Sequence, residues 1–150
     1  MIKKMETFIL YSVIGCIMGN FIINQYDNKA TTTFKEDNKL LFINIGIFDT
    51  IEQMQEKTTN LAYYIYLEND TKFTAYIGIT KNNSNLEKLK GYFLNLGYDI
   101  SIEEIEVTNQ IFLEEFNKYE ELLKATENTK AIQSIENDIL KKYEELVISG

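Results

Sequence analysis

The chain has 150 residues, a formal net charge of −8 and 45% hydrophobic residues, room for one domain with an appendage and too apolar for wholesale disorder. It contains no His, Pro, Trp or Arg, which excludes imidazole chemistry and guanidinium recognition of phosphate. One cysteine, Cys16, excludes an intramolecular disulfide, and the acidic balance repels nucleic acid.

Residues 1–24 open with Lys3 and Lys4, and Phe8–Ile23 then carries no charge. As a helix this run spans roughly 24 Å at about 1.5 Å per residue, and Met5, Thr7 and Asn24 extend it toward the ~30 Å hydrocarbon core. Lysines before it place the N-terminus in the cytoplasm and the rest outside, as a single-pass membrane anchor would. Two other readings stay open: a cleaved signal peptide, and a lipoprotein signal, since Val13-Ile14-Gly15-Cys16 resembles a lipobox. Gly15 and Gly19 form a G-x-x-x-G, either a helix-pairing face or ordinary membrane-helix glycine. Residues 25–39, polar with a threonine run, read as a tether.

Residues 40–107 hold one phrase twice. Asn44-Ile45-Gly46-Ile47 closes a strand-like run from Leu40 to Phe48, and Tyr76-Ile77-Gly78-Ile79 closes another from Lys72. Asp49-Thr50-Ile51-Glu52 predicts a capped helix to about Asn60, and Ala62–Glu68 a strand rich in aromatics. The Asn69-Asp70 turn signal joins that strand to the next as a hairpin. Ser84-Asn85-Leu86-Glu87 predicts a second capped helix, with Leu86, Leu89, Phe93 and Leu96 at helical spacing and Gly97 at its C-cap. Ile100–Val107 reads as a half-exposed last strand. The order is βαββαβ: an α+β, RNP-like antiparallel sheet with two helices on one face.

Residues 108–150 predict a helical hairpin broken at Glu127-Asn128. Asn109–Thr126 aligns Phe112, Phe116, Tyr119 and Leu123; Thr129–Val147 aligns Ile132, Ile135, Ile139, Tyr143 and Leu146.

The motifs of residues 40–107 resemble those of the SPOR domain, a bacterial cell-envelope module of βαββαβ type. Phe42-Ile43-Asn44-Ile45-Gly46-Ile47-Phe48 is similar to its first strand, Tyr76-Ile77-Gly78 to a later one, and Leu86-Glu87-Lys88-Leu89 with Gly97-Tyr98 to its second helix. Short sporulation-associated members also resemble this chain in having one N-terminal anchor. The resemblance implies a non-catalytic domain that binds septal or forespore peptidoglycan at glycan strands stripped of stem peptides. Asn44 stands where the family has Gln, Ile47 where it often has a polar residue, and Lys72 and Thr74 where some members have an aromatic–basic pair.

Strand alternation offers its own candidate surface: Phe42 and Asn44 with Tyr64 and Tyr66, and Lys72, Thr74 and Tyr76. Tyrosines beside an amide and a hydroxyl suit stacking on sugar rings. The same residues are ordinary core if the helical tail lies across the sheet. An open face favours glycan; a covered one favours an envelope or sporulation protein as partner. Glu103, Glu104, Glu106, Glu114, Glu115, Glu120 and Glu121 read as solvated surface, and no nucleophile–base pair, metal cluster or cofactor motif is present, so no catalysis, metal or cofactor is expected. RNA binding, suggested by the shared strand order of RNA-recognition folds, fails on charge: removing residues 1–24 leaves 13 lysines against 22 acids.

Overall fold

The computed structural model describes residues 38–149. The expected membrane anchor, and all but the end of the expected tether, lie outside the described residues. Four strands, β1 (Lys39–Phe48), β2 (Ile65–Asn69), β3 (Lys72–Thr80) and β4 (Ser101–Glu106), alternate with helices α1 (Ile51–Thr58) and α2 (Asn83–Asn95). They form one antiparallel sheet in the order β2-β3-β1-β4, so the βαββαβ reading holds. Helices α3 (Gln110–Ala125) and α4 (Thr129–Tyr143) follow as the expected hairpin, and α4 ends in a π-helical turn, Glu144–Ile148. Among the described residues no helix is long and apolar enough to cross a membrane.

Local chemistry sets the boundaries. The N-cap of α1 is Thr50, one residue later than expected: its hydroxyl accepts from Gln53 N, and the Gln53 side chain reaches back to accept from Asp49 N. The α2 cap is earlier than expected, at Asn82, whose side chain accepts from Asn85 N at 2.8 Å. Its C-terminus is a Schellman closure, with Tyr98 N donating to Phe93 O, Gly97 N donating to Leu94 O, and Gly97 at φ +89°. The β2–β3 turn is two residues long, with Asp70 and Thr71 both at positive φ, the twist that suits a tight hairpin.

Two bulges break the alternation of the central pair. On β3, Ile77 and Gly78 together face Ile43, so Tyr76 and Ile79 come to lie on one side of the sheet. On β1, the ladder steps from Asn44 to Ile47 while β3 moves only from Tyr76 to Thr74. Gly46 supplies the φ of +129° that this second bulge needs.

While the edge strand β4 stays largely exposed, the central strands β1 and β3 are covered on both faces over most of their length. Against one, α1 and α2 press Met54, Leu86, Leu89 and Phe93 onto Ile43, Tyr66, Phe73, Ala75 and Ile77. Across the other, α3 and α4 lay Phe112, Phe116, Ile139, Leu140 and Tyr143 over Leu40, Phe42, Ile65, Tyr76 and Ile79. The hairpin also closes an edge. Strand β2 pairs with β3 only from Lys72 to Tyr76, and α4 occupies the position beside the remainder of β3. This is why Ala62–Tyr64, expected in the strand, stand outside the ladder.

Lys88 of α2 fastens the hairpin at its turn. Its ammonium donates to the carbonyls of Leu123, Lys124 and Thr126 at 2.7–3.3 Å and pairs with Glu127 at 3.1 Å, capping the C-terminal end of α3. Replacing it removes charge-assisted hydrogen bonds from a mostly buried site. We expect Lys88→Met, which keeps the apolar stem, to lower stability by about 1.5–3 kcal/mol, read from the urea midpoint with unchanged slope.

Candidate functional site

The seven residues expected to share one face divide between two. Phe42, Asn44, Thr74 and Tyr76 do lie together, because Asn44 pairs with Tyr76 and Phe42 with Ile79. Tyr66 does not: the two-residue turn pairs Asn69 with Lys72, which sets Tyr66 opposite Ala75 and Ile65 opposite Tyr76. Tyr66 therefore points to the α1–α2 side and packs edge-on against Phe73 at 6.1 Å between centroids. Burial pushes its hydroxyl well above the ordinary range, with the neighbouring Tyr64 and Glu68 adding to the effect. Tyr64 also joins the clusters on that side. Lys72 is exposed at the start of β3 and pairs with Asp49 at 3.3 Å.

The residues that do share the expected face are not open to solvent. Phe42 is fully buried, in edge-to-face contact with Tyr143 at 5.1 Å and with Tyr76 at 5.6 Å. Tyr143 continues edge-on to Phe112, which stacks on Phe116. Tyr76 is 3% exposed, and its hydroxyl donates to Glu103 Oε2 at 2.6 Å. The Asn44 side chain is turned inward, where its carbonyl oxygen accepts from Gly46 N and braces the bulge. Burying side chains of this size is worth about 1.5–3 kcal/mol each, so uncovering five of them costs on the order of 10 kcal/mol, comparable to the whole net stability of a domain. A ligand does not reach this face while the hairpin stays docked. At the far end of the sheet, Ile47 is 67% exposed beside half-buried Thr74.

Two carboxylates expected on the surface, or not singled out at all, turn out to organise the interior. Glu120 of α3 is buried, not solvated. Its oxygens accept from Thr80 Oγ1, Lys81 N, Asn82 Nδ2 and Asn85 Nδ2 at 2.8–3.2 Å, at the point where β3 passes into α2. Burial raises its pKa, and these four donors oppose the rise. Glu136 of α4 is 2% exposed, and its Oε2 accepts from Ile79 N at 2.9 Å on the edge that β2 leaves bare. Its Oε1 has no hydrogen-bond partner among the described residues. Burial raises this carboxyl well above the ordinary range, Ile79 N–H lowers it, and the nearby Glu120 raises it further. Both glutamates occupy apolar stripes, Glu120 between Phe116 and Leu123 and Glu136 between Ile132 and Ile139. That placement was readable as a sequence signal. A carboxylate at a core position of an amphipathic helix needs a partner inside.

Chemically the two differ. Glu120 has both oxygens occupied by donors and acts as a clamp. Glu136 keeps one oxygen unengaged and lines a cavity of about 130 Å³. An open groove of about 600 Å³ lies where α2 faces the start of α4, bordered by Lys88, Tyr92, Glu127 and Lys130. No group of three or more Asp, Glu, Cys or His residues able to hold a metal occurs among the described residues. No protein-family model matches the chain, and neither a curated protein nor a solved structure matches it significantly.

The raised carboxyls give a signed pH dependence. A glutamate whose folded pKa lies above its ordinary 4.5 holds its proton better folded than unfolded. Below 4.5 it is protonated in both states and costs nothing; as pH climbs from 4.5 toward the folded pKa, stability falls. Glu136→Gln removes its share, so we expect the variant to lose less stability than the parent between mildly acidic and neutral pH. Urea unfolding across that range checks the slope.

Proposed function

We propose that this protein is a non-catalytic interaction module of the bacterial cell envelope: a SPOR-type βαββαβ domain, membrane-anchored by residues 1–24, that docks a protein partner. The observation that carries this reading is the burial of Phe42 and Tyr76 beneath Tyr143 and its neighbours. The sheet surface that would read stripped glycan is occupied by the chain's own hairpin. The hairpin in turn presents a new outer surface. Ile111 and Leu122 of α3, 64% and 55% exposed, are eleven residues apart, about three turns at ~3.6 residues per turn, and so share one side of the helix. The Glu115–Lys118 pair lies between them. An apolar pair on a charged helix suits contact with a protein better than contact with a sugar chain.

Glycan binding is the second reading, and what favours it is the uncovered end of the sheet, with Lys72 exposed and Thr74 half-buried. One experiment separates the two. The full chain in a maltoside detergent is sedimented with peptidoglycan sacculi, native or stripped of stem peptides by an amidase. In parallel, photo-crosslinking residues replace Ile111 or Leu122 in cells. We expect no enrichment on stripped sacculi and a discrete protein adduct from both positions. Pelleting that rises with amidase treatment and falls in Lys72→Ala and Thr74→Ala, without an adduct, would reverse the assignment.

A further inference from the structure

The outer side of α3 carries more than an apolar pair. Ile111, Glu115, Lys118 and Leu122 follow one another at spacings of four, three and four residues. At ~3.6 residues per turn they fall within an arc of about 60°, clear of the buried stripe of Phe112, Phe116 and Leu123. This is the spacing of the seam in a two-helix coiled coil, whose contact positions recur every 3.5 residues on average, about half a heptad. Ile111 and Leu122 are exposed, and the Glu115 and Lys118 side chains keep 38% and 70% of their surface while paired at 2.8 Å. The seam thus faces solvent along its length, and exposed Ala125 continues it. Its residue types are also arranged symmetrically. Ile111 and Leu122 stand equally far from the midpoint between Phe116 and Asn117, and so do Glu115 and Lys118. A two-fold axis through that midpoint therefore brings apolar onto apolar and acid onto base.

We propose that this side of α3 binds the same side of α3 in a second copy of the chain, antiparallel, with Ile111 against Leu122 and Glu115 against Lys118. The inference rests on the partner-docking reading above and names the partner. In such an isologous contact every pair is made twice, so one short seam yields two apolar contacts and two ion pairs. A parallel arrangement instead sets Glu115 on Glu115 and Lys118 on Lys118, which like-charge repulsion opposes. The charged layer also fixes the register. A slip of one heptad places Ile111 against Glu115 or Leu122 against Lys118, leaving a charge on an apolar neighbour. Glu114 and Glu121 flank the seam on one side and oppose the contact from its rim. The contact spans about three turns, well short of a standard interface of ~1,600 Å², and is therefore weak between free copies. The proposed anchor confines copies to one membrane, and the raised effective concentration makes a weak contact sufficient.

The test uses the full chain with Cys16→Ser in maltoside micelles. Copies carrying Ile111→Cys are mixed with copies carrying Leu122→Cys, and the rate of disulfide formation is followed under an oxidant. We expect a dimer from the mixture and little from either variant alone, because the antiparallel contact holds like positions about 16 Å apart at ~1.5 Å per residue. Lys118→Glu in both copies should slow the reaction at least about tenfold, and so should Glu115→Lys in both. Lys118→Glu in one copy with Glu115→Lys in the other should restore the rate, which also shows that each variant is folded. Glu114→Gln together with Glu121→Gln should raise it. Equal rates from the single variants, indifference to charge reversal, or no recovery on mixing would overturn the proposal. Photo-crosslinking from Ile111 and Leu122 in cells separates this inference from the reading beneath it. An adduct of two copies supports the pairing. An adduct to a different polypeptide ends the pairing and leaves partner docking standing, whereas the absence of any adduct ends both.

Discussion

Strand β3 is the constraint on which the rest depends. It is central, apolar on both sides, and paired by β2 along only half its length. Its second half therefore presents buried backbone donors with no strand to receive them, a situation that costs about 1–3 kcal/mol per unmade hydrogen bond. The α3–α4 hairpin supplies the acceptors: Glu136 takes Ile79 N–H, and Glu120 takes Lys81 N–H together with the Thr80 hydroxyl. A helix side chain thus stands in for a missing strand. The exchange uses side-chain acceptors because a helix backbone has no free carbonyl to offer sideways.

That solution has consequences on both faces. Anchored along the edge, the hairpin places Phe112, Phe116 and Tyr143 over Phe42 and Tyr76, and Leu123 and Ile132 against the cluster beneath α2. Lys88 locks the hairpin turn to α2, and Asn109 locks its base by capping α3 while donating to Leu146 O. Gly78 lies at the crowded centre, where an added Cβ would stand 3.1 Å from both Glu136 and Phe93. The edge closure, the face closure and the repeated glycine are parts of one packing arrangement.

The same arrangement links stability to function. A sheet with a solvated face can exchange a ligand at no cost to its core, but this one must lose its hairpin first. On the function proposed above, recognition passes to a surface the hairpin itself makes, the outer side of α3. Glu136 holds the edge with one oxygen, while its other oxygen is buried without a hydrogen-bond partner among the described residues.

Much of this was legible in the residues. Strand and helix order, the hairpin turn, and the breaks at Gly97 and Glu127-Asn128 all follow from local periodicity and turn chemistry, which act within a few residues. Even the side of Tyr66 was available, since a two-residue turn pairs position 66 with 75 and not with 74 or 76. The β3 bulge was not: a one-residue insertion that puts Ile79 on the side of Tyr76 depends on what β1 places opposite it. Nor does an amphipathic stripe say what it will cover. Periodicity reports that Phe116 and Tyr143 need burial, while the choice between each other, the sheet and a second protein is made by shape and hydrogen bonding across distant segments. By itself the sequence determined the βαββαβ order and the apolar stripes of the hairpin, because those are local. Only the tertiary structure decided that the hairpin closes the sheet and that Glu120 and Glu136 are interior, because both depend on an edge that β2 is too short to fill.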